Sequence, residues 1–142
     1  MKRLPLSDEQ ARAWHAGTLS VVRRRISSNL LDRYYDYDDW CNSVAPPRDI
    51  PCSREYEKQF FASRAPYIPG EIVFIGEAWM GTPDCLSYKI SDPRQVIEFG
   101  YDSWRSPITM PAWASRSKAR IMSVTPEQEA GAWTWVIEIG RV

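Results

Sequence analysis

Three groups of residues in this sequence are of kinds that act on anionic or nucleoside-like ligands. The first is the run Arg23, Arg24, Arg25, which closes the stretch "GTLSVVRRRI" at residues 17–26. The second is "WRSPITMPAWASRSKARIMSV", from Trp104 to Val124, which holds Arg105, Arg116, Lys118 and Arg120 and no acidic residue. Arginine's planar fork matches two phosphate oxygens or a base edge, and an aromatic face beside it is what single-stranded nucleic acid stacks on. Trp104 and Trp113 flank the "RSPITMP" part of that stretch. Tryptophans also fill small cores, and that is the expectation for Trp113, Trp133 and Trp135.

The third is Glu77, in "YIPGEIVFIGEAW". By strand alternation it shares a face with Val73, Ile75 and Trp79, and a buried carboxylate needs a cationic or donor partner. Arg23, Arg24 or Arg116 could supply one. A structural ion pair or an exposed strand end stands against a carboxylate–arginine pair at a cleft, and ion-pair networks perturb carboxylates too. For the arginine run, a solvated strand end stands against a phosphate site. Alternate residues of a strand face opposite sides, so at most two of the three arginines share one site.

Other reactive types point to less. His15, beside Trp14, has no serine or cysteine near it in a triad-like context and reads as a helix-end residue. Cys41, Cys52 and Cys85 are odd in number and lack C-x-x-C spacing, which favours neither a disulfide framework nor a zinc site, so no metal or cofactor is expected. "DRYYDYDDW", residues 32–40, reads as a solvated loop; its rival is an acidic surface for a basic partner, for which a mimic of nucleic acid needs a larger field.

The totals set limits. Lys plus Arg and Asp plus Glu both number 18, so the net charge is zero and any polyanion site must be local. Four of the 18 basic residues are lysines, which leaves 14 arginines. The N-terminus has no apolar signal region and no stretch approaches a membrane span, so a soluble protein of a reducing, cytoplasmic compartment is expected. At 142 residues the expectation is one domain with one core.

The elements that must position these residues follow from caps and periodicity. "LPLSDEQARAWHAG" is a helix with Ser7 as N-cap, Gln10 completing a capping box, Gly17 at C′, and Ala11 and Trp14 inward. Strands are expected near 18–26, 71–79, 117–125 and 132–141. In the last, Trp133, Trp135, Ile137 and Ile139 take one face and Thr134, Val136 and Glu138 the other. Residues 27–66, with a proline cluster and a short helix at "SREYEKQFFASR", and residues 80–103, with an edge strand at "SYKISD", read as excursions from the core. The class is α+β with a mostly antiparallel, barrel-like sheet.

"HAG" before an Arg-Arg pair, "PGEIVFIGEAW", "WRSPITMPAWASR" and the closing "WVIEIGRV", in that order, resemble the ASCH/PUA-like superfamily, in particular its short phage and prophage proteins. The resemblance runs from about residue 4 to the C-terminus, interrupted by the two excursions. It implies a PUA-like β-barrel whose cleft faces RNA or modified nucleosides; some members hydrolyse an acylated cytidine nucleoside or cleave RNA. With Gly17 at the motif glycine, Ser20 stands at the first threonine and Arg23 and Arg24 at the arginines, while Leu19 and Val22 replace the lysine and second threonine of the hydrolases. No lysine occurs between Lys2 and Lys58, and leucine is neither base nor nucleophile. Only "TPEQEAGA" separates the last two core strands, where the hydrolases have a helical segment.

The resemblance therefore implies a module that binds RNA, DNA or a modified nucleoside through Ser20, Arg23, Arg24, Glu77, Trp104, Arg105, Arg116 and Lys118, in a bacterial host's cytoplasm if phage-encoded. Two other readings stay open: a hydrolase or ribonuclease with Glu77 as base, and a phage-derived factor that contacts a host protein through the acidic residues 32–39.

Overall fold

Ser7 starts the first helix as its sequence dictates. Its side chain accepts from the Gln10 amide at 3.2 Å while Gln10 Oε1 accepts from the Ser7 amide at 3.1 Å, closing the capping box of α1 (Asp8–His15). Ala11 and Trp14 are its buried residues, and Gly17 follows with φ +80°. The amides of Thr18 and Leu19 both donate to Ala13 O, so these residues finish the helix. The next strand, β2 (Val21–Arg25), begins three residues later than the periodicity suggests for that reason.

The computed structural model describes residues 1–43, 54–94 and 103–142. In chain order they form β1 (Arg3–Pro5), α1, β2, α2 (Ser28–Ser43), α3 (Arg54–Ala62), β3 (Ile72–Gly76), β4 (Trp79–Thr82), β5 (Cys85–Tyr88), two short 3₁₀ turns (Pro107–Thr109 and Ala112–Ala114), β6 (Lys118–Glu129) and β7 (Ala132–Arg141). The fold is α+β. One sheet has the strand order β1-β3-β6-β7-β2, and β4 and β5 form a separate hairpin. The β2–β7, β3–β6 and β4–β5 pairs are antiparallel and β1–β3 is parallel. No described helix is long and apolar enough to cross a membrane.

The chain packs as two compact units. The first comprises Met1–Ser20, Gly70–Ile121 and Ile139–Val142, and the second Val21–Pro69 and Met122–Glu138. In the first, β3 is buried almost throughout, so alternation does not set Val73 and Ile75 apart from Phe74. The strand expected over 71–79 stops at Gly76. A Cβ there would lie 2.6 Å from Pro107 O, and the backbone leaves the ladder before resuming as β4 at Trp79. Trp79 thus belongs to a different strand from Val73 and Ile75, and Glu77 occupies the break. The edge strand expected at 87–92 lies earlier, at Cys85–Tyr88, because a tight turn at Pro83–Asp84 pairs it with β4.

In the second unit, "DRYYDYDDW" is helical, within α2, and not a loop. The stretch from Ser27 to Ser43 has no Gly or Pro to stop a helix, and Ser27 Oγ accepts from the Leu30 amide at 3.3 Å. Residues 27–66 are also less of an excursion than their composition suggests. Tyr34 of α2 packs against Phe60 and Phe61 of α3 and Trp133 of β7, with ring centroids 4.9–5.8 Å apart, and Phe61 is fully buried. The proline cluster at 45–52 and residues 95–102 of the second excursion lie outside the described residues.

The β6–β7 hairpin turns on Ala130 (φ 49°) and Gly131 (φ 81°), a two-residue loop with both φ positive, as the twist of paired strands favours. Strand β6 therefore runs on through "TPEQE" to Glu129, past the expected end at 125. In β7, Trp135, Ile137 and Ile139 are buried as alternation requires, though Val136 on the other face is buried too. Replacing Trp135, which meets Phe61 edge-on at 5.9 Å, with alanine is expected to destabilise the protein by about 3 to 5 kcal/mol in chemical denaturation. A loss below about 1 kcal/mol would show that this ring does not carry the packing assigned to it.

Candidate functional site

Glu77 is the most completely buried charged group among the described residues, with its side chain 2% exposed. It is not alone. Arg116 grips it with both arms of the guanidinium, Nε to Oε2 at 3.1 Å and Nη2 to Oε1 at 2.8 Å. His15 Nε2 lies 2.9 Å from Oε2. A carboxylate only accepts, so the histidine proton on that bond sits on Nε2. Three charge-assisted or polar contacts on one buried carboxylate are what its desolvation demands.

Each partner is held in turn. The guanidinium of Arg116 lies 4.2 Å from the Tyr88 ring centroid and donates through Nη1 to Ser91 Oγ at 2.9 Å. Tyr88 OH donates to Ala114 O at 2.7 Å. Burial raises the Tyr88 phenol above its ordinary value; Arg116 pulls it down and Glu77 pushes it up. The single Ser115 hydroxyl proton has two carbonyls in reach, Ile75 O at 2.7 Å and Ser117 O at 2.9 Å, and Trp14 Nε1 donates to Ser117 Oγ at 2.9 Å, so the segment carrying Arg116 is held by its neighbours. Lys89 Nζ reaches Asp8 Oδ2 at 2.7 Å and ties the end of β5 to the first turn of α1.

Arg116 also borders a cavity of about 740 Å³. Lys118, Arg141 and Trp113 line it with Arg116, and no carboxylate side chain does. Trp113, expected in the core, is instead 52% exposed, its 3₁₀ turn holding the ring perpendicular to Trp79 with centroids 5.9 Å apart. The Arg141 guanidinium stacks on Trp14 at 4.0 Å and bonds the Trp14 carbonyl. Among the described residues, no group of three or more His, Cys, Asp or Glu side chains could hold a metal ion.

Of the arginines considered as partners for Glu77, Arg116 is the one that pairs with it. Glu77, Arg116, Lys118, Ser20, Trp104 and Arg105 all belong to the first unit. Ser20 is exposed and its carbonyl accepts from Ile139 N; Trp104 is half-buried; Arg105 lies 4.9 Å from the Trp79 ring and exchanges backbone hydrogen bonds with that residue. Arg23 and Arg24 belong to the second unit. There Arg23 pairs with Glu127 at 3.2 Å, both about half exposed, a kind of contact worth at most about 1 kcal/mol. Register sets Val22 opposite Ile137 and Arg24 opposite Trp135, so Arg24 shares the buried face and Arg23 and Arg25 the exposed one. Burial pushes the Arg24 guanidinium below its ordinary value, against an upward pull from Tyr67.

Sequence reasoning missed His15, Tyr88, Ser91 and Arg141. His15 carried one usable signal, since the capping box fixes the phase of α1 and sets His15 directly after its buried Trp14. Comparisons of the chain with protein-family models, curated proteins and solved structures found no match.

Two outcomes follow from this geometry. Arg116→Ala leaves Glu77 buried with His15 alone and should cost about 2 to 4 kcal/mol in urea denaturation, while Arg116→Met with Glu77→Gln recovers part of that loss; equal losses in both variants would contradict a coupled pair. Tyr88 holds its proton more tightly folded than unfolded. Stability should therefore fall as pH rises past the phenol's ordinary value of 10.0. Denaturation midpoints across that range, compared with Tyr88→Phe, check the sign.

Proposed function

We propose that the chain is a nucleic-acid- or nucleoside-binding module of the ASCH/PUA-like type, with its sheet strands corresponding to that superfamily's barrel, and that the cavity bordered by Trp113 is where the ligand sits. The observation that carries this reading is the half-exposed tryptophan beside three cationic side chains in a cavity without a carboxylate side chain. A base stacks on such a ring whatever its identity, and the cations meet phosphate. Arg116 brings no net charge, because Glu77 neutralises it; its role is to present fixed donors. Lys118 and Arg141 provide the local positive charge, and no ion pair engages either of them among the described residues. The phage or prophage origin and cytoplasmic setting rest on the sequence resemblance.

Binding without catalysis fits the site better than hydrolysis with Glu77 as base. Leu19 stands at the hydrolases' lysine, and the Glu77 oxygens are taken up by Arg116 and His15. General-base action requires a lone pair within reach of a substrate proton.

Fluorescence anisotropy with a short single-stranded RNA and its DNA counterpart tests the reading. Trp113→Ala should weaken binding by about 1 to 3 kcal/mol, roughly 5- to 150-fold, with little loss of stability for so exposed a ring. Lys118→Glu should weaken binding and lower the slope of log K against log salt by about 0.7 per lost phosphate contact on a single strand. Unchanged affinity and slope in both folded variants would overturn it.

A further inference from the structure

The chain has a single histidine, His15, and binding at the cavity beside Trp113 makes no direct use of it. Its side chain is 28% exposed, yet Nε2 lies 2.9 Å from the buried Glu77 Oε2. Arg116 Nε donates to that same oxygen at 3.1 Å. One carboxylate oxygen therefore joins a ring open to solvent protons to a guanidinium that borders the cavity. While the imidazole is neutral, the charges of Glu77 and Arg116 cancel. A further proton puts hydrogen on both ring nitrogens, and Glu77 then faces a cation on each side.

We propose that His15 regulates the cavity by taking up a proton, which leaves the charge of Arg116 uncancelled and strengthens the hold on a phosphate chain; this rests on the nucleic-acid reading of that cavity. The surroundings of the ring single out His15 as the group that responds. Glu77 and Arg116 meet it from the break after β3 and from the segment before β6. Arg12 stands one turn earlier on α1, and Arg141 of β7 bonds the Trp14 carbonyl. From the β4–β5 hairpin, Tyr88 lies against the Arg116 guanidinium, and Lys89 just beyond it is paired with Asp8. Arginine and lysine keep their charge across the range in which histidine ordinarily gains a proton, and burial moves the Tyr88 phenol further from that range. The added charge acts at short range. Imidazole and guanidinium touch one oxygen, so they lie well within the screening length of about 8 Å at physiological salt. Coupling is reciprocal, so a bound phosphate chain in turn favours the protonated ring.

The test is the affinity of an oligouridylate with hydroxyl ends, followed by fluorescence anisotropy with a pH-insensitive dye between about pH 5.5 and 7.5. Neither uracil nor a phosphodiester titrates there. Affinity should rise about 5-fold toward the acid end, and the slope of log K against log salt should steepen by up to about 0.7, one more counterion released from a single strand. His15→Gln keeps a donor for Glu77 but gains no proton, so its profile should be flat whatever its absolute affinity. His15→Lys carries the charge throughout, so its profile should be flat with the steeper salt slope. Circular dichroism at both ends of the range checks folding, and either folded variant decides the outcome. A wild-type profile as flat as that of the variants overturns the proposal; the cavity remains the binding site if Trp113→Ala still weakens binding. A pH response that persists in His15→Gln overturns it as well, and assigns the response to another group. Absence of binding at every pH overturns both the regulation and the nucleic-acid reading.

Discussion

A carboxylate with almost no access to water constrains everything around it. Glu77 is 1% exposed, and an ionised group in that position is tolerable only with its oxygens engaged by donors. Those donors come from two places in the sequence, and a third holds one of them. The helix must end so that His15 meets Oε2, the segment after the second 3₁₀ turn must deliver Arg116, and the β4–β5 hairpin must place Tyr88 and Ser91 against the guanidinium. The capping box that fixes the start of α1, the serines at 115 and 117, and the Lys89–Asp8 contact are means to that end. The break in the strand at Gly76 belongs with them, since a continuous ladder through residue 79 would carry Glu77 as an ordinary strand residue.

The second unit is organised by ring packing. Tyr34, Phe60, Phe61, Trp133 and Trp135 come from two helices and one strand, and their mutual contacts order a stretch whose composition suggests a solvated insertion. The middle arginine of the run 23–25 is drawn into the same logic. Period 2 leaves it on the buried side opposite Trp135, so its charge is partly desolvated while its neighbours stay in water.

What the sequence revealed was local. Ser7, Gln10 and Gly17 define α1 because capping depends on side chains within one turn, and β7 is readable because Trp133, Trp135, Ile137 and Ile139 recur at every second position. Glu77 and Arg116 were recognisable as a possible pair, since a carboxylate in an apolar run implies a cation somewhere. Three things escaped for one reason. His15 as the second donor, Gly76 as the end of β3 and Trp113 as a surface residue are each decided by an atom distant in sequence: Glu77 Oε2, Pro107 O and the Trp79 ring. The acidic stretch in α2 misled differently, because tyrosines and aspartates resemble a loop in composition while the absence of glycine and proline leaves a helix unopposed.

The separation of fixed donors from free charge has a consequence for how the first unit would meet a polyanion. Arg116 sits in a pair whose charges cancel, so at distance it contributes little field, and Lys118 and Arg141 stand out against a chain of zero net charge. With screening over about 8 Å at physiological salt, two unbalanced cations attract a phosphate chain only once it is nearly in place. Affinity must then come from short-range terms, the stacking face of Trp113 and the oriented N–H groups of Arg116, and these discriminate by geometry. On the proposed reading, such a surface would favour a ligand that offers one unstacked base with its phosphate over a duplex that offers a uniform line of charge, because only the former can use the ring and the fork together.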